Sequence, residues 1–205
     1  MLLHPTDVIA ALDAARTAQR IDNDDASGAL LAAIAMKARS YALAVSTYEE
    51  LTARDGDNSY YFYWLAMARL ADGHCSPALE SLAEAIRIRP SWGEAHLVQI
   101  RATALCGGLL LREKARGKAV ALLRQRSDTD IRLTLAFAEM SLGNLGGAEE
   151  LIELERPHPD AAMLSDALGR KRLPTLPFAA ESPWWQPEEI RYSLAENTAR
   201  KERSK

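Results

Sequence analysis

Apolar positions along this chain recur three and four residues apart, in blocks of a dozen or more residues separated by short polar breaks. That period fits one face of an α-helix and not the two-residue alternation of a strand. Blocks with this rhythm cover about residues 7–20, 26–38, 41–54, 59–71, 75–89, 93–106, 110–126, 130–142 and 145–156, with a shorter one at 159–170. Alanine and leucine supply most of the apolar positions and β-branched residues are few, which favours helix over sheet. The pattern predicts an all-α protein. Thr6 stands where an N-cap of the first helix would be, and Asp24 or Asp25 of "DNDD" where one would open the second.

The blocks repeat. Gly73, Gly107 and Gly143 lie 34 and 36 residues apart, each between two helical runs, and stepping back 34 from Gly73 lands on Arg39. Ala44 with Tyr48, Ala78 with Leu82, Ala119 with Leu123 and Ala148 with Ile152 each place a small residue four before a large one. Small residues are needed where two helices cross closely, and glycine suits a reversal at positive φ. In the unit 59–92, Phe62, Leu65, Ala66, Gly73, Ala78, Leu82, Ala85 and Pro90 fall in the order of a known helix–turn–helix repeat.

On those residues the chain resembles the tetratricopeptide repeat family over about residues 25–157. Arg69 departs from the family's aromatic at that place, and the stretch "CGGLLLREKARGKA" breaks the spacing of the third unit. The resemblance implies a right-handed α-solenoid of about four helical hairpins with flanking helices. Its expected parts are an N-terminal helix in 1–24, the repeats in 25–157, a capping helix in 158–171, an extended Pro/Trp-rich segment in 172–187 and a C-terminal helix in 188–205.

"YYFYW", five adjacent aromatics from Tyr60 to Trp64, cannot all point into one core, because a helix turns 100° per residue. The family's arrangement puts Phe62, Leu65 and Ala66 in the repeat core, and Tyr61 and Trp64 against an adjacent repeat. It lines a concave groove with Tyr60, Tyr63, Met67 and Leu70, then Leu97 and Arg101, then Leu133, Phe137 and Met140. An apolar and aromatic groove of this kind suits an extended peptide with hydrophobic anchors. It lacks the Lys and Asn clamp with which some relatives hold a C-terminal carboxylate, and is more similar to the small bacterial tetratricopeptide chaperones of type III secretion.

The segment "RLPTLPFAAESPWWQP" carries four prolines, which exclude regular structure, yet Leu173, Leu176, Phe178, Trp184 and Trp185 make it too apolar for a plain linker. The expectation is that it folds back into the groove, burying Trp184 or Trp185. Docking onto a partner or onto a second copy is the rival.

Net charge is −3, which does not favour a nucleic-acid partner, but it is uneven. Residues 91–126 carry 7 basic and 2 acidic side chains, and residues 127–169 carry 2 and 9. Solvated helix faces account for such runs, and a basic strip for an acidic partner is the alternative. His4, His74, His96 and His158 show no ligand spacing, and Cys75 and Cys106 are too few for a disulfide framework or zinc signature. "DNDD" lacks the glycine and distal glutamate of a calcium loop, and "CGGLLLREK" is no phosphate loop. The first residues lack a signal peptide's basic and long apolar parts, and no apolar run has membrane-spanning length.

The expectation is therefore a cytoplasmic, non-enzymatic protein-interaction module without metal or cofactor. It would bind a protein or peptide segment as a chaperone or assembly adaptor, and neither bind nucleic acid nor insert in a membrane. A structural subunit that self-associates through its tail or terminal repeat is the alternative.

Overall fold

The structure, a computed structural model, describes residues 5–174 together with Leu176, Phe178 and Ala179. The expected helix within 188–205 and the expected burial of Trp184 or Trp185 lie outside these residues. Ten helices make up the described part, with no strand among the described residues. They are α1 (Pro5–Asp22), α2 (Asp25–Lys37), α3 (Tyr41–Arg54), α4 (Ser59–Ala71), α5 (Cys75–Ile88), α6 (Gly93–Cys106), α7 (Leu109–Gln125), α8 (Thr129–Ser141), α9 (Leu145–Glu153) and α10 (Pro159–Gly169). The predicted all-α chain of consecutive hairpins is the one observed, with most ends within a residue or two.

α1 begins at Pro5, whose missing N–H would find no partner in a first turn. Thr6 therefore lies inside the helix and does not cap it. Asp24 caps α2, accepting a 2.8 Å hydrogen bond from the Ser27 amide, a contact that lowers its carboxyl pKa. Asn58 and Asp128 open α4 and α8 in the same way.

The helices fall into two compact units, α1–α5 and α6–α10. In the first, α2 pairs with α3 and α4 with α5, and α1 covers α2. Ala44 and Ala78 are fully buried where these helices cross. Arg69, which replaces the expected aromatic, donates to the Pro77 carbonyl and the Ser81 hydroxyl on α5, and meets Glu49 of α3 at 2.8 Å. One guanidinium thus ties three helices, a task that suits its planar fork of donors. Leu65 and Ala66 are core, as expected, but Phe62 is only half-buried and lines an open cleft between α3 and α5. In the second unit α6 pairs with α7 and α8 with α9, and α10 packs on both α8 and α9. Its core joins Ile100, Ala104, Ala115 and Ala119 to Leu133, Phe137 and Met140, then to Ala148, Ile152, Ala161 and Leu164.

Three of the four repeating turns share one geometry. Gly73 and Gly143 take φ of 82° and 81°, and each is followed by an amide that reaches back along the chain to close the helix end. Arg39 does the same at φ 57° with no glycine, Ser40 N–H bonding to the Ala35 carbonyl. Gly107 departs from the expectation of positive φ, taking −86°. Its small size is needed for a different reason. A Cβ there would stand 2.5 Å from Leu111 Cβ and 2.6 Å from the Thr103 carbonyl oxygen. Gly117, inside α7, has open space around it.

Gly107→Ala is accordingly expected to lower stability by about 1–3 kcal/mol through overpacking. Gly117→Ala should raise it by roughly 0.5–1 kcal/mol through helix propensity. Thermal melts of the two variants beside the parent check both signs.

Candidate functional site

The second unit holds a polar cluster at the centre of its first-helix layer. Arg101 of α6 and Asp160 of α10 are both 0% exposed and form a direct ion pair through the guanidinium Nη1 and Asp160 Oδ2. Arg101 Nε also donates to the Thr134 hydroxyl of α8 at 2.8 Å, and Nη2 to the Asp130 carbonyl at 3.3 Å. One arginine therefore joins three helices of the unit. A charge this deep is stable only when paired and hydrogen-bonded on most sides.

The second carboxylate oxygen of Asp160 faces the chain that leaves α10. Ala179 donates its main-chain N–H to Asp160 Oδ1 at 2.8 Å, and the neighbouring Phe178 side chain is 1% exposed. Beside them Leu173, Pro174 and Leu176 border a cleft of about 460 Å³ with Pro159, Met163 and Ala167 of α10. The arrangement reads a passing segment in two ways. A main-chain donor is held by a buried carboxylate, and an aromatic side chain is held by an apolar surface.

Local sequence explains how Asp160 is placed. His158 caps α10, its Nδ1 accepting the Asp160 amide at 3.2 Å, and Pro159 fills the first helical turn. That bond puts the imidazole proton on Nε2, which points at Asp130 Oδ1 from 3.5 Å. Burial raises the Asp130 carboxyl pKa, while Arg101 and His158 pull it down. Nearby, Glu155 accepts from the Thr129 hydroxyl at 2.7 Å and from Arg132, bonds that lower its pKa and lock the start of α8 to the α9–α10 turn.

Most of the residues expected to line an open groove are buried, and Leu97 borders a cleft with Ile100, Leu122 and Ile131. Leu133, Phe137 and Met140 are buried in one core shared with Ala161, Leu164 and Ala167 of α10. Arg101 is buried by its pairing with Asp160, and Leu97 is buried on the same helix. In the first unit Tyr63, Met67 and Leu70 are buried as well, Tyr63 edge-on to Trp64 with ring centroids 5.5 Å apart. Tyr60 is half-exposed, its hydroxyl accepting from Arg89 at 2.8 Å. Sequence reasoning put Arg101 in the groove and Phe178 on a tail expected to fold back into it. It missed Asp160, Thr134 and His158; "HPD" ahead of a helix was the available signal, as a cap followed by proline and acid.

No protein-family model matches the chain, and no curated protein matches it. A solved structure does: a thermophilic tetratricopeptide-repeat protein from Thermus thermophilus, 23% identical, covering 80% of this chain and 90% of that one with a TM-score of 0.61. The chain has the tetratricopeptide-repeat fold. Within this tetratricopeptide fold the Arg101–Thr134–Asp160 bridge runs between α6 and α8, the first helices of two consecutive hairpins, and the helix that follows them. That layer is the one such repeats use to form binding surfaces. Among the described residues no helix is long and apolar enough to cross a membrane, and no three His, Cys, Asp or Glu side chains gather to hold a metal.

Asp160→Ala should cost roughly 3–5 kcal/mol, since it strands a buried guanidinium. Asp166→Ala, which breaks an exposed pair with Arg170, should stay within about 0.5 kcal/mol of the parent. Urea titrations of both variants test the contrast. For Glu155 the folded pKa is lowered, so its contribution is present above the unfolded value and is lost as pH falls through the folded one. The parent should therefore lose more stability than Glu155→Gln between about pH 6 and pH 3, as read by melting temperature.

Proposed function

We propose that this chain is a non-enzymatic protein-interaction module, a chaperone or assembly adaptor that holds an extended apolar segment of a partner protein. The reading rests on one observation: the Asp160 carboxylate grips a main-chain amide while Phe178 is buried beside it. Gripping the backbone is indifferent to sequence, and an aromatic anchor adds selectivity; extended-segment recognition commonly divides the work this way. The fold supports a protein partner, since tetratricopeptide repeats offer extended surfaces and not catalytic clefts.

In this reading the segment 172–179 is a stand-in for the partner. It is Pro- and Leu-rich, a composition that favours extended backbone and lowers the entropy lost on docking. Because it is tethered, it faces the site at an effective concentration of about a millimolar, and a partner must displace it. Tyr60, half-exposed beside Arg89, is proposed as part of a separate contact for the partner on the first unit.

The test uses a fluorescent synthetic peptide carrying residues 172–180, added to the full chain and to its Phe178→Ala variant. The variant is expected to bind the peptide about tenfold or more tightly than the parent, because the tethered competitor is weakened. A peptide with alanine in place of Phe178 should not bind either protein. Failure of the peptide to bind the variant would sink the reading.

A further inference from the structure

Two outward helix faces of the second unit carry opposite charge and an apolar end each. On α7, Leu109, Leu110 and Leu111 are 71%, 82% and 44% exposed, and Lys114, Lys118 and Arg124 follow on the outward side. On α9, Glu149, Glu150 and Glu153 face outward, and Leu154 just beyond is 71% exposed. Solvent does not favour four such leucines, and a patch of this kind marks a contact surface. Within the chain the two faces do not neutralise one another. Among the described residues Lys114, Lys118, Glu149 and Glu150 make no ion pair, and Arg116 is spent on Glu139.

The order of residues along the two helices is what identifies the occupant. α7 runs leucine first and then lysine, with Leu110 and Lys114 four residues apart. α9 runs acid first and then leucine, with Glu150 and Leu154 four residues apart. At 1.5 Å per residue both intervals are about 6 Å. Laid antiparallel with Leu110 against Leu154, Lys114 would come level with Glu150, and Glu149 would fall between Lys114 and Lys118. α7 and α9 are second helices of consecutive hairpins, each burying its alanine side toward α8. Both leave their charged sides to solvent, two strips of this unit's surface.

We infer that these two strips bind a second copy of the chain, α7 of each copy pairing antiparallel with α9 of the other about a twofold axis. Such an interface repeats every contact twice, as an isologous dimer must. An anionic lipid surface would meet the lysines but be repelled by the α9 carboxylates, and an acidic partner would leave Leu154 and its glutamates uncovered. The second copy satisfies both halves at once. This inference does not rest on the peptide-holding reading, and either can fail without the other.

The experiment is sedimentation of the full chain against concentration and salt, with the variants Lys114→Glu/Lys118→Glu and Glu149→Lys/Glu150→Lys. The parent should dimerise, with a Kd that rises on going from about 50 to about 500 mM salt. Each charge-reversed variant alone should dimerise at least about tenfold more weakly. The two variants mixed in equal amounts should recover a dimer through the contact in which each offers the sign the other needs. These positions are exposed, so far-ultraviolet dichroism of the variants should match the parent. A parent that remains monomeric at about a millimolar, a dimer indifferent to both reversals, or a mixture that does not recover would each overturn the proposal.

Discussion

A helix of thirteen or fourteen residues with one apolar face cannot hold itself together in water, and nearly every feature of this protein follows from that. The face must be covered by another helix at close range. Close range requires a small residue at the crossing, and the fully buried Ala44, Ala78 and Ala148 supply it at the fourth residue of α3, α5 and α9, with Ala119 further along α7. Within the second unit α10 packs on α8 and α9, and Phe178 is buried in the chain that follows it.

Polar chemistry enters at α10, whose Asp160 pairs with Arg101 of α6 with both side chains fully buried. Neither charge would be tolerated there alone. Together with Thr134 and the Asp130 carbonyl they make a satisfied cluster, and one carboxylate oxygen is left to hold the amide of Ala179. The outward charges of α7 and α9 obey a looser rule: nothing inside the unit dictates them, which is why their mirrored order points outside the chain.

Much of the fold was legible because the signals for it are local. Helix periodicity, the capping Asp24, and the reversal glycines Gly73 and Gly143 act over a few residues and could be read in the sequence. Two local readings needed amendment. Pro5 rather than Thr6 starts α1, because a proline costs nothing in a first turn. Gly107 serves a tight approach between Thr103 and Leu111 instead of a left-handed turn, a distinction that depends on where α7 leaves.

The groove shows where local signals end. The sequence by itself determined which residues are apolar on the first helices, and so named Tyr63, Met67, Leu97, Leu133, Phe137 and Met140. Only tertiary structure decided what covers them. A stripe of apolar residues looks the same whether water, a partner or the chain's own next helix lies across from it, since periodicity records a preference for burial and not the identity of the neighbour. Leu133, Phe137 and Met140 share one core with Ala104, Ala148 and Leu164 of three other helices. For Arg101 it is Asp160, 59 residues away, a pairing that no spacing rule along the chain encodes.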